Sequence, residues 1–140
     1  EYFARDASGN LQDLSGLPFP APKWTWNIGT HYTLPVSNGS VDFSTNLSYR
    51  SNVNFRPQIG QNDASVSQPG YALLDARIAY DIEDIGLNFA IFGKNLTNKR
   101  YLNAATNLES LGFNIGFPGD PRVIGVQMRK TCCHSMGGGR

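Results

Sequence analysis

Residues 41–55 read VDFSTNLSYRSNVNF. Val41, Phe43, Leu47, Tyr49, Val53 and Phe55 fall on one side of an extended chain. Asp42, Ser44, Asn46, Ser48, Arg50, Asn52 and Asn54 fall on the other. Successive side chains of a strand point to opposite faces, so this alternation predicts a β-strand and not an amphipathic helix. It is also long, because strands in globular proteins are most often about five or six residues.

The same period recurs on both sides of this stretch. WTWNIGTHYTL (Trp24 to Leu34) places Trp24, Trp26, Ile28, Tyr32 and Leu34 opposite Thr25, Asn27, Gly29, His31 and Thr33. Tyr71 to Ile82 sets Ala72, Leu74, Ala76, Ile78, Tyr80 and Ile82 against Asp75, Arg77 and Asp81. Leu87 to Thr97 and Arg122 to Thr131 repeat the pattern less cleanly. Five strands are therefore predicted, near 23–35, 40–56, 70–82, 86–98 and 121–131. No 3.6-residue apolar stripe of useful length is present.

The connections alternate in length. PVSNGS (35–40) and EDIG (83–86) are tight, with Asn38-Gly39 and Gly86 as turn signals. RPQIGQNDASVSQPG (56–70) and NKRYLNAATNLESLGFNIGFPG (98–119) are long and polar with Gly/Pro punctuation, and residues 1–22 read as a third long loop. Short, long, short, long describes an all-β, antiparallel up-and-down meander, with tight turns at one end and large loops at the other.

A soluble β-sandwich would have shorter strands and more even turns. Long strands with one apolar-aromatic face and one polar face fit a transmembrane barrel with a wet interior, since lipid then covers the apolar row. Asp42, Asn46, Arg50, Asp75 and Arg77 are the expected lumen-facing polar row. Aromatics near strand ends, among them Trp24, Trp26, Tyr32, Tyr49, Phe55, Tyr71 and Tyr80, suit interfacial girdles. No apolar run approaches the roughly 18 residues of a membrane helix.

The net charge of +1, with Lys and Arg scattered singly, argues against nucleic acid as a partner. No nucleophile motif, P-loop, metalloprotease motif or pair of catalytic carboxylates is present, so no enzyme, catalytic residue or cofactor is predicted. Cys132, Cys133 and His134 are too close together to supply a zinc site, and no metal site is predicted. His31 is read as a polar lumen residue. Asp81, Glu83 and Asp84 are read as a solvated hairpin turn. The N-x-[ST] matches at Asn38, Asn46 and Asn95 are read as chance or turn chemistry.

APKWTWNIGTHYTLP (21–35), GYALLDARIAYD (70–81), GKNLTNKRYL (93–102) and GDPRVIGVQMRK (119–130) together resemble the C-terminal end of a TonB-dependent outer-membrane receptor. Asn95, Leu96, Thr97, Asn98, Lys99 and Tyr101 match the family's N-L-[FT]-[DN]-K-x-Y motif. Gly119, Pro121, Arg122, Gly125, Val126 and Met128 match its closing strand. The resemblance implies a multi-pass barrel of about 22 strands, in the bacterial outer membrane and surrounded by its lipid. This chain would supply the C-terminal part, residues 1–131, with 1–22 the remnant of an extracellular loop.

It also implies that the last strand runs down to the periplasm, so the turns at 35–40 and 83–86 face the periplasm. The intact receptor would take up a scarce ligand, usually a ferric siderophore, and would contact TonB through N-terminal regions that this chain lacks. A passive porin-like channel is the alternative. The family ends in an outward aromatic where this chain has Cys132, and TCCHSMGGGR has no alternation. Residues 132–140 are therefore read as a non-native tail, and Glu1 in place of Met as a sign that the native start is not in view.

Overall fold

In a computed structural model the structure describes residues 3–5, 8–13, 20–55, 66–108 and 111–131. Along the chain the strands are β1 (Phe3–Arg5), β2 (Leu11–Asp13), β3 (Thr25–Val36), β4 (Gly39–Arg50), β5 (Val53–Asn54) and β6 (Ser67–Gln68). They continue as β7 (Tyr71–Ile82), β8 (Leu87–Lys94), β9 (Leu102–Leu108), β10 (Phe113–Pro118) and β11 (Val123–Lys130). No α-helix occurs among the described residues. Five strands form one sheet in the order β11-β8-β7-β4-β3, which is the sequential meander expected from the alternation.

The chain divides into two compact units. One comprises residues 26–48, 72–99 and 120–140 and holds most of the five-stranded sheet. Here the register aligns rows across β7, β8 and β11. Ile78, Ile91 and Val126 form one row, and Tyr80, Phe89 and Met128 form the next. The opposite face carries Arg77, Phe92 and Gly125, then Ala79, Ala90 and Gln127, then Asp81, Asn88 and Arg129.

The apolar rows are the exposed ones: Ile124, Val126 and Met128 are 67%, 69% and 72% exposed. On the other face Ala79 and Ala90 are buried, in the row between the Arg77–Phe92 and Asp81–Asn88 pairs. This is the reverse of a water-soluble sheet, which turns its apolar row inward. Thr30 and Thr45 interrupt the apolar face, and their hydroxyls bond to each other at 2.8 Å. A polar pair that satisfies itself can stand in hydrocarbon.

The tight turns are laced together. Asn38 accepts the Glu83 N–H on its backbone oxygen (3.1 Å) and the Tyr80 hydroxyl on Oδ1 (2.7 Å). A 3-10 turn at Glu83–Ile85 ends on Gly86 in the left-handed region (φ 59°), and the Gly86 carbonyl accepts the N–H of Thr131 at 2.7 Å.

The other unit comprises residues 1–25, 49–71 and 100–119. It contains three small antiparallel pairs, β1 with β2, β5 with β6, and β9 with β10. The expected long loops are thus partly β-structure. In 98–119 the chain doubles back as β9 and β10 about a turn at Gly112 (φ 81°), with Phe113, Ile115 and Phe117 on one face. Their alternation was readable in the sequence but is short.

The second strand, expected to run to residue 56, leaves the sheet at Arg50. Ser51 donates its N–H to the Trp24 carbonyl (2.9 Å) and accepts the Trp24 N–H on its side-chain Oγ (3.0 Å). A hydroxyl replaces the backbone partner there, so the chain can depart without stranding Trp24. Ser51→Ala in the intact receptor should therefore cost about 1–2 kcal/mol, read as a lower unfolding temperature. Ser51→Thr, which keeps the hydroxyl, should recover most of it.

Candidate functional site

The expected lumen row is dispersed over three settings. Asn46, Asp75 and Arg77 line one groove of about 390 Å³ with Ser44, Lys94 and Gln127. Asp42 lies further along the same sheet beside His31. The Thr33 hydroxyl donates to Asp42 Oδ1, so it accepts from Nε2 of His31 at 3.0 Å, with Nε2 3.3 Å from the carboxylate. Arg50 belongs to the other unit, where it bonds to the Tyr71 side chain. A groove with carboxylate, guanidinium, ammonium and amide groups can bind water and polar chain. No group of three potential metal ligands occurs among the described residues.

Asp75 has a second task, because Oδ1 accepts the backbone N–H of Asn95 at 2.8 Å. Asn95 is buried (4% exposed) and left-handed at φ 48°, a conformation asparagine tolerates better than most residues. Its Nδ2 donates to the carbonyls of Lys99 (2.8 Å) and Asp120 (3.1 Å), and its Oδ1 accepts the Lys99 N–H (2.8 Å). Its own carbonyl accepts the Asn98 N–H at 2.8 Å. One side chain thus joins the end of β8, the following turn and the approach to β11, while its backbone ties β8 to β7. This is also why the fourth strand stops at Lys94 and not near 98.

The remaining motif residues pack around glycines. Leu96 donates its N–H to the Leu74 carbonyl (2.8 Å), and its methyl groups fill the space a Cβ at Gly93 would need. Phe92 lies over Gly125, where a Cβ would come within 2.6 Å of the ring. In the other unit Tyr101 covers Gly119, accepts its N–H at 2.8 Å and stacks on Tyr71 with centroids 4.5 Å apart. Pro121 and Arg122 lie exposed ahead of β11.

Sequence reasoning missed the parts played by Gly93, Phe92, Tyr71 and Gln68. Gln68 is buried and accepts the Leu102 N–H on Oε1 at 2.8 Å, fixing the start of β9. Nothing in the local pattern marks it, because its partner is a backbone amide far along the chain. Cys132, Cys133 and His134, and the reading of 132–140 as a tail, fall outside the described residues.

An antiparallel meander with an exposed apolar face and a polar opposite face is the wall of a membrane β-barrel. A family model for the TonB dependent receptor-like β-barrel matches residues 2–107, and the chain belongs to that family. The match includes Asn95, Leu96 and Tyr101 and stops short of Gly119. The family is one of outer-membrane receptors engaged in transport, not catalysis. No curated protein and no solved structure matches the chain.

Proposed function

We propose that this chain forms the C-terminal wall, through residue 131, of a receptor barrel of about 22 strands that takes up a ferric siderophore. The observation that carries this is the two-faced meander, apolar on its exposed side and carrying the Asn46–Asp75–Arg77 groove on the other. In this arrangement Asp42, Asn46, Arg50, Asp75 and Arg77 face the lumen. The turns at 35–40 and 83–86 face the periplasm, and residues 1–22 and 98–119 belong to outer loops. Contact with TonB is made by parts of the receptor outside this chain. The chemistry of a scarce, bulky ligand suits a filled barrel with energy-driven release better than an open pore.

The test is uptake of radiolabelled iron as ferric siderophores by cells with and without the intact receptor. Uptake should require the receptor, stop on deletion of TonB and stop with a protonophore. Receptor-dependent flux that survives both treatments would support a passive porin-like channel and overturn active transport. Iron-independent growth effects with no siderophore uptake would overturn the ligand class.

Residues 132–140 are further proposed to be non-native, with Cys132 standing where an outward aromatic closes the strand. Cys132→Phe, with the chain stopped there, should raise the amount of assembled receptor severalfold on unheated gels. Equal assembly with the present tail would show the tail to be native.

A further inference from the structure

We propose that Asn38 and Gly39 form a self-modification site, at which the Gly39 backbone nitrogen displaces ammonia from the Asn38 side-chain amide with help from the Tyr80 hydroxyl. Asn38 is the one asparagine in the sequence that is followed by glycine. Ring closure needs the next backbone nitrogen to reach the side-chain Cγ, and a side chain on that next residue crowds the approach. Gly39 has none, and a glycine backbone turns through conformations closed to other residues. Asn38 is exposed in a tight turn, so water reaches its amide. The fold adds a donor, because the Tyr80 hydroxyl donates to Oδ1 of Asn38 at 2.7 Å. Oδ1 takes the negative charge when the Gly39 nitrogen adds to Cγ, and a donor already in place stabilises that charge.

In the step the bond from the Gly39 nitrogen to Cγ forms and the Cγ–Nδ2 bond breaks. The proton lost by Gly39 leaves with Nδ2 as ammonia. The five-membered imide then adds one water. Opening at one carbonyl gives aspartate, and opening at the other gives isoaspartate, with the main chain rerouted through Cγ. Water is the co-reactant, and nothing is oxidised or reduced. Isoaspartate puts one more carbon into the main chain ahead of Gly39, where a Cβ already has no room against the Asp81 carbonyl. Asn38 accepts the Glu83 N–H, so the new carboxylate enters a turn that carries Asp81, Glu83 and Asp84. Like charges oppose one another there. Conversion therefore loosens β4 from β7 in receptor that has already assembled.

The intact receptor in neutral detergent is incubated at mildly alkaline pH and then digested with trypsin. Cleavage after Lys23 and Arg50 releases residues 24–50 as one peptide, which carries Asn27, Asn38 and Asn46. The same peptide free in solution, incubated alongside, serves as the clock. Mass spectrometry with electron-transfer fragmentation should find isoaspartate at Asn38 in the folded receptor, with Asn27 and Asn46 intact. The yield should rise with pH, because the attacking nitrogen must lose its proton. Tyr80→Phe, which removes one exposed hydrogen bond, should slow conversion severalfold in the folded receptor and leave the heat-denatured receptor unchanged. An Asn38 amide that survives in the folded receptor while the free peptide converts overturns the proposal. Aspartate without isoaspartate would show direct hydrolysis and overturns the ring closure. Conversion in Tyr80→Phe as fast as in wild type, or faster, overturns the part given to the hydroxyl.

Discussion

Replacing Asn95 with alanine in the intact receptor is expected to remove most of the assembled barrel. The change deletes the bonds from Nδ2 to the Lys99 and Asp120 carbonyls and from the Lys99 N–H to Oδ1. Each such bond is worth about 1 kcal/mol net. Alanine at φ 48° adds strain, because a left-handed Cβ crowds the following carbonyl at roughly 1–2 kcal/mol. The three bonds and the strain together come to about 4–5 kcal/mol, comparable with the stability of a marginal domain.

Two companion substitutions separate the causes. Asn95→Gly relieves the strain but not the lost bonds, so it should recover only about 1 kcal/mol. Asn95→Asp keeps the acceptor for Lys99 but turns a carboxylate oxygen toward two carbonyls, with Asp75 already bonded to the same residue. It should be as damaging as alanine. The measurement is the fraction of receptor that migrates as a folded barrel on unheated gels. Asn95→Asp assembling like wild type would mean that the amide donors are not what holds the three segments.

Gly39→Ala should be nearly as severe for a different reason. Gly39 opens β4 at φ 153°, and a Cβ there would collide with the carbonyl of Asp81 in the neighbouring β7. The obstacle is backbone within a ladder and cannot rotate away, so β4 and β7 must separate or the turn must rebuild. A cost of about 3 kcal/mol or more follows from overpacking together with a conformation unsuited to a side chain. Asn38→Ala, one residue earlier, is the control. It removes the exposed bond from the Tyr80 hydroxyl but keeps the backbone bond to Glu83, and should cost about 0.5–1 kcal/mol. Unfolding temperatures of the two variants should differ clearly. Equal values would show that the turn adjusts and that the close approach at Gly39 is not rigid.

The five main strands, their order and the sidedness of the sheet were legible in the sequence, because period-two alternation is a local property of the extended chain. Val41 to Tyr49 and Leu74 to Ile82 declare their faces without reference to any partner. The tight turns at Asn38-Gly39 and at Gly86 were legible for the same reason, since a left-handed or crowded position is written into one or two residues. The motif residues from Asn95 to Gly125 could be marked by resemblance, but not what they do.

Their geometry was decided by the tertiary structure. Ser51 ends β4 because Trp24, many residues earlier, needs a partner. Asn95 ends β8 because Asp75 and Asp120, 20 and 25 residues away, present a carboxylate and a carbonyl to it. Gly93, Gly119 and Gly125 matter for the side chains of Leu96, Tyr101 and Phe92 that lie over them. The distribution of the polar row, with Asn46, Asp75 and Arg77 in one groove, Asp42 with His31, and Arg50 on Tyr71, was fixed in the same way. Alternation assigns a residue to a face. Which neighbours it meets there depends on strand register and on backbone groups that carry no letter in the sequence.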